Sequence, residues 1–281
     1  MKGGASRGSG PDAAFPPDLV TTTSQMSTLP SRDVVRRSYE VIYQTSGITD
    51  HPYFYRWILN LLQPRPGSRL LDVACGEGDL VGEARTRGVA AYGVDIAHAA
   101  LWRARQSVSA LPVLQGDAMN LPWRDEMFNY VTCLGSLENM ADPEEAIAEI
   151  RRVLVPEGVV CIMLPNKYWL GEVLEVVWKK DEAPTFQPIE RVATCRQWQA
   201  WLAAHGLNAI RVLRYNKRPR LWDHGKLKSV RKFLTRTVLN ACCPFNLSWH
   251  FVFLCTKGPV SRNEDGWRYW VMRQGSPQTT A

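Results

Sequence analysis

Leu70-Leu71-Asp72-Val73-Ala74-Cys75-Gly76-Glu77-Gly78-Asp79-Leu80 is the stretch that decides the fold. An apolar strand runs into a turn with two glycines, and a helical pattern follows at once. That layout brings backbone N–H groups to a ligand at a helix N-terminus. A second apolar run, Val89 to Ile96, carries Asp95 near its end. A carboxylate there can accept hydrogen bonds from the two hydroxyls of a ribose. Together the two runs predict a site for a nucleoside-containing ligand.

The chemistry of the turn narrows the ligand. Gly76 and Gly78 supply two glycines of a dinucleotide fingerprint, but its third position is Val81. No G-x-x-x-x-G-K-[ST] occurs, which argues against a P-loop. Asp72 sits just before the turn, where its charge repels a pyrophosphate and favours a cationic ligand. S-adenosylmethionine, with its sulfonium and ammonium, meets that demand. A nicotinamide-dependent oxidoreductase fits the same turn less well.

Five landmarks, in this order, carry a resemblance. They are Leu71 to Gly78; Gly93-Val94-Asp95; Gly116-Asp117-Ala118 with Leu121-Pro122; Phe128-Asn129-Tyr130-Val131; and Arg151 to Gly158. The chain resembles a class I S-adenosylmethionine-dependent methyltransferase over about residues 35–165, and more loosely at its end. The resemblance implies a doubly wound, Rossmann-like α/β fold. Its sheet would have seven strands, mostly parallel, with helices on both faces and the last strand antiparallel.

The resemblance also implies roles. Asp72, Ala74, Cys75, Gly76 and Gly78 would line the methionine part of the cofactor. Asp95, with Ile96 beside it, would bind the ribose. Asp117 and Ala118 would meet the adenine, and Leu134 would close the pocket. Tyr43, on an N-terminal lid helix, would lie over it. Ala74 stands where the usual turn has its first glycine.

Composition sets the frame. The 281 residues are 45% hydrophobic and 22% charged, as in an ordinary soluble globular protein. Residues 1–30 lack the compact apolar stretch of a secretory signal, and no run reaches the length of a spanning helix. Seven cysteines without a C-x-x-C pair predict reduced thiols in a cytoplasmic protein and no metal site. The net charge of +7 is uneven. Residues 211–238 hold ten Lys and Arg against one acid, Asp223.

Periodicity orders the rest. Residues 1–30 read as a disordered tail and 33–63 as lid helices broken near Gly47 to Pro52. The methyltransferase domain is expected over 31–258, with 259–281 a loose C-terminal tail that Trp267, Tyr269 and Trp270 could tether. The pattern predicts strands at 69–74, 90–95, 112–115, 129–134, 158–164, 208–214 and 248–256. Helices are predicted at 77–88, 97–109, 142–154 and 195–205. Asp142-Pro143-Glu144-Glu145 is a strong helix start. Segments 166–194 and 215–247 would shape the acceptor site.

The candidates for acid–base chemistry are His51, Glu138 and Asn139. Similar enzymes often carry a histidine at the Asn139 position, and methyl transfer needs a base only when the acceptor must lose a proton. No Asn-Pro-Pro-Tyr follows the fourth strand, which argues against an adenine amino-methyltransferase. The basic 224–240 segment, with Leu227, Val230, Leu234 and Val238 on one stripe, suits an anionic membrane surface. The best reading is methyl transfer to a small-molecule or lipid-like acceptor, at oxygen. The alternatives are a catalytically inactive cofactor-binding scaffold and an RNA methyltransferase using 211–238. Against RNA, no recognisable RNA-binding module is present.

Overall fold

The computed structural model describes residues 30–108, 110–179, 188–216, 243–260 and 271–273. Two helices come first, α1 (Arg32–Thr45) and α2 (Pro52–Leu62). The alternating core follows: β1 (Arg69–Val73), α3 (Asp79–Thr86), β2 (Ala90–Asp95), α4 (His98–Ser107), β3 (Val113–Gln115), β4 (Phe128–Leu134), α5 (Pro143–Val153) and β5 (Leu154–Pro165). The chain then runs through α6 (Leu170–Lys179), β6 (Glu190–Val192), α7 (Cys195–Ala204), β7 (Leu207–Tyr215), β8 (His250–Lys257) and β9 (Val271–Arg273).

Seven strands form one sheet in the order β3-β2-β1-β4-β5-β8-β7. The first five are mutually parallel. β8, the last of the seven in the chain, slots antiparallel between β5 and β7. The expected fold class therefore holds. The order reverses between β1 and β4, so their carboxyl ends leave a crevice where ligands bind in such folds.

Side-chain alternation builds the two cores. Leu71, Val73, Val160, Ile162, Leu164, Phe251 and Phe253 face one side and pack with Ile147 and Ile150 of α5 and Trp198 and Trp201 of α7. Leu70, Cys161, Met163, Val252 and Leu254 face the other and meet Phe54, Ile58 and Leu59 of α2, Leu80 and Ala84 of α3, and Leu101 of α4. Strands buried on both faces read as continuous apolar runs, which is how β5 and β8 look in the sequence.

Local signals set the helix ends. Asp142 caps α5, its Oδ1 accepting from Glu144 N at 3.2 Å and Glu145 N at 3.1 Å. Thr194 and Gln197 cap α7 reciprocally, with Thr194 N donating to Gln197 Oε1 at 2.9 Å. α4 has no side-chain cap of its own. Glu40 of α1 supplies one across the tertiary contact, accepting from Ala99 N at 3.1 Å.

α6 and β6 are not predicted from the sequence, and two further elements differ from the expectation. β5 starts at Leu154, not at 158, because fully buried Leu154 pairs with Phe128 as soon as α5 ends. The Pro156–Gly158 stretch is then accommodated by a register shift before Val159 pairs with Tyr130. A proline without an N–H donor is tolerated at such an irregularity. The second difference is in the tail, where Val271–Arg273 pairs antiparallel with β6, setting Met272 opposite Arg191. Residues 1–29, most of the 215–247 segment with the basic 224–240 stretch, and Trp267, Tyr269 and Trp270 lie outside the described residues. Among the described residues no helix is long and apolar enough to cross a membrane.

Candidate functional site

One cavity opens at the carboxyl ends of β1, β2 and β4, under α1. Every residue expected to hold the cofactor lines it except Gly78: Asp72, Ala74, Cys75, Gly76, Asp95, Ile96, Asp117, Ala118, Leu134 and Tyr43. Gly78 sits one step behind, as the left-handed residue that opens α3. A Cβ there would come within 2.4 Å of Leu111, so packing and backbone both demand glycine.

The turn after β1 is held from below. Cys75 N donates to Val94 O at 3.0 Å, and Gly76 N donates to Asp95 Oδ2 at 2.8 Å. The other carboxylate oxygen of Asp95 accepts from Ala97 N at 2.9 Å. Asp95 thus ties β2 to the turn while facing the cavity. Ala74 is left-handed, with φ of 57°, an uncommon conformation for a residue with a Cβ. Gly76 has φ of 53°, and a Cβ on it would lie 2.6 Å from the Tyr43 hydroxyl. That glycine is what lets α1 close down on the turn.

The electrostatics are those of a site built around anions. Burial lifts the Asp72 carboxyl to about 7, with neighbouring Asp95 and Asp79 adding to the rise and a hydrogen bond from Thr132 Oγ1 opposing it. Burial lifts Asp95 to about 6, with Glu40 adding, while the N–H groups of Ala97 and Gly76 oppose. Two buried carboxylates on one cavity are destabilised by each other and by dehydration. A ligand bearing a positive charge relieves both effects, and ribose hydroxyls can use the remaining lone pairs of Asp95.

At the far end, Asp117 Oδ1 accepts from Met119 N at 2.9 Å. Its other oxygen lies 3.8 Å from Nη1 of Arg32, the first residue of α1, which also pairs with Glu145 on α5. Arg32 lines the cavity and was not expected there.

Beyond β4 the wall is made by Gly135, Ser136 and the short 3₁₀ turn Leu137–Asn139. Asn139 reaches the cavity, is 1% exposed, and donates from Nδ2 to Gly135 O at 3.3 Å. Glu138 lies buried just behind it, lifted to about 8 by burial, with Glu190 adding and Arg191 opposing. His51 is elsewhere. It is exposed and caps α2, its Nδ1 accepting from Tyr53 N at 3.3 Å. Asn166 also turns away, bridging to Asn246 O and Ser248 O at 2.8 Å each.

Sequence reasoning missed two residues that shape this wall. Tyr39 lies one turn before Tyr43 on α1 and lines the same cavity. The i, i+4 spacing of the two tyrosines was the signal that could have found it. Arg191 of β6 donates to the carbonyls of Glu138 at 3.1 Å, Met140 at 2.6 Å and Ala141 at 3.2 Å. It clamps the 3₁₀ turn from far along the chain, and nothing local marks it.

Residues 71–162 match the family model of the methyltransferase domain. That match spans β1 to β5 of this sheet. Among curated relatives, the demethylmenaquinone methyltransferase of Bacillus mycoides (strain KBAB4) is 33% identical over 143 residues, 47% of this chain and 60% of the relative. Its counterpart in Bacillus cereus (strain AH187) is 32% identical over the same lengths. The chain thus spans 60% of the length of the curated relatives it matches. The solved structure of the [4+2]-cyclase SpnF is 20% identical, with a TM-score of 0.59, covering 82% of this chain and 98% of that one. At that identity the likeness concerns the fold alone.

Proposed function

We propose that this protein transfers the methyl group of S-adenosylmethionine to a small-molecule or lipid-like acceptor, at oxygen. The observation that carries the reading is the cavity at the switch in strand order, which joins buried carboxylates on one side to an apolar wall on the other. The relatives' names, which specify demethylmenaquinone, support an acceptor of small-molecule type.

In this reading Asp72 faces the ammonium, with Cys75 and Gly76 against the methionine chain and Gly78 setting the turn. Asp95 and Ile96 hold the ribose. Asp117 and Ala118 meet the adenine, while Leu134 and Tyr43 close the pocket. The sulfonium supplies an activated methyl group and departs as a neutral thioether. The chain's own work is then to orient the partners and exclude water. Peripheral contact with an anionic membrane through 224–240 belongs to the same proposal and rests on sequence.

Titration calorimetry tests the reading, with S-adenosylhomocysteine as ligand and NAD as comparison. Binding of the first in the micromolar range and none of the second is the expected result. Absence of S-adenosylhomocysteine binding would sink the proposal. A catalytically inactive cofactor-binding scaffold is the second reading, since a fold and a cofactor site do not by themselves imply turnover. Normal cofactor binding without methyl turnover would support it.

Binding should depend on pH in a set direction. Asp72 and Asp95 are raised from an ordinary value of 3.8 to about 7 and about 6, so folding makes them hold protons. Their stabilising contribution is full below that ordinary value and is lost as pH rises through 6 to 7. An ammonium-bearing ligand selects their ionised forms. Affinity for S-adenosylhomocysteine is therefore expected to fall by roughly tenfold or more from pH 8 to pH 5.5. A flat profile would mean that neither carboxylate meets the ligand's charge.

A further inference from the structure

The strand order divides the cavity. In the methyltransferase reading the cofactor lies over β1 and β2, with its adenine at Asp117, just past β3. The cavity continues on the other side of β1, over the ends of β4 and β5. There it is lined by Gly135 after β4 and by Met163 of β5, which pairs in register with Leu134. Ile48 of the α1–α2 loop and Phe54 and Tyr55 of α2 complete that end. A methyl acceptor has to approach from the side that the nucleoside leaves open, and this end is the room for it.

The lining there is aromatic and apolar. Phe54 and Tyr55 stand edge to face, their ring centroids 5.4 Å apart and their planes at 64°. Such a corner sets a ring face beside a ring edge, the two surfaces against which a further aromatic ring packs. Met163 adds a polarizable thioether, which makes favourable contacts with rings. Gly135 has φ of 66°, and a Cβ on it would lie 3.1 Å from the Met163 methyl carbon, so the glycine leaves that side chain its place. Ile48 is 38% exposed and stands at the rim.

The charge at this end has one sign. Asp50 and Asp72 line it. The Tyr55 hydroxyl accepts from Asp50 N at 3.1 Å and is hydrogen-bonded to Asp79. All three carboxylates act on that hydroxyl, adding to the rise that burial imposes. Among the described residues no Lys or Arg lines this end. Arg32 stands at the opposite one, beside Asp117. Arg103 comes close to Gly47 but pairs with Glu77 and does not line the cavity. An anionic acceptor would therefore enter without compensation, whereas a neutral ring meets no such cost.

We propose that Ile48, Phe54, Tyr55 and Met163 form the acceptor subsite, and that it takes a neutral aromatic ring bearing the hydroxyl and turns away anionic acceptors. The proposal rests on the methyltransferase reading of the cavity.

The test titrates three probes at pH 7 into protein already saturated with S-adenosylhomocysteine. They are 2-naphthol, its saturated counterpart decahydro-2-naphthol, and the anion 2-naphthoate. The naphthol is expected to bind roughly two- to tenfold more tightly than the saturated ring, the scale of one aromatic contact. It should outbind the carboxylate by about tenfold or more. Ile48→Lys sets a cation at the exposed rim and should narrow the gap between naphthol and naphthoate. Tyr55→Leu should bind naphthol and its saturated counterpart alike. If that variant fails to fold, Ile48→Lys still places the probes at this end of the cavity. No binding of 2-naphthol, either other probe matching it in the wild type, or an unchanged naphthol-to-naphthoate ratio in Ile48→Lys would overturn the subsite. Failure of S-adenosylhomocysteine to bind in the first step would instead overturn the methyltransferase reading, and the subsite with it.

Discussion

Asp95→Ala is expected to weaken S-adenosylhomocysteine binding by about 1–3 kcal/mol, because hydrogen bonds from ribose hydroxyls to a charged acceptor are lost. That is a rise in Kd of roughly 5- to 150-fold. The substitution acts twice. It removes the acceptor, and it strands the N–H groups of Gly76 and Ala97, which donate to the two carboxylate oxygens at 2.8 and 2.9 Å. The turn before α3 then loses its tie to β2. Asp95→Asn keeps one acceptor oxygen and should fall between wild type and alanine. The measurement is calorimetry at pH 8, above the raised Asp95 value of about 6, so that the wild-type group is ionised. Circular dichroism should show the sheet intact in both variants. Unchanged affinity for Asp95→Ala would refute the ribose role.

Arg191→Ala is expected to destabilise the fold by about 2–4 kcal/mol in urea unfolding, since three carbonyls lose charged donors in a buried setting. Arg191 is 6% exposed, and its bonds to Glu138, Met140 and Ala141 join β6 to the turn that carries Asn139. Burial depresses its pKa while Asp142, Glu138 and Glu144 raise it, so the cation is held by acids around it. Arg191→Lys keeps the charge but not the planar fork, and cannot reach three carbonyls in the same geometry. It should recover only part of the loss. If both variants matched wild type in stability, the clamp would be unnecessary for the fold. β9 pairs with β6, the strand that carries Arg191.

The landmarks from Leu71 to Gly158 made the sheet legible, because each strand is a short apolar run closed by a turn signal that acts locally. The same locality exposed Asp72, Gly76, Asp95 and Asp117, since their places follow from strand ends. β5 was read short because a proline looks like a stop, and only its neighbour β4 shows that pairing continues through a register shift. The tail was read as loose because three residues, Val271 to Arg273, carry no periodicity.

His51 illustrates the opposite limit. It was a candidate base, yet it caps α2. Whether a side chain faces a cavity depends on where its helix sits, and no local pattern states that. Tyr39, Arg32 and Arg191 entered the site for the same reason. Arg32 and Tyr39 come from α1, which lines the cavity, and Arg191 from β6, which holds the wall through carbonyls distant in the chain. The sequence by itself determined the alternation of strands and helices and the carboxylates at the strand ends, because these are set by neighbours within a few residues. The tertiary structure alone decided which residues cover that crevice and how the wall around Asn139 is held, because burial and hydrogen bonding there join segments up to about fifty residues apart or more.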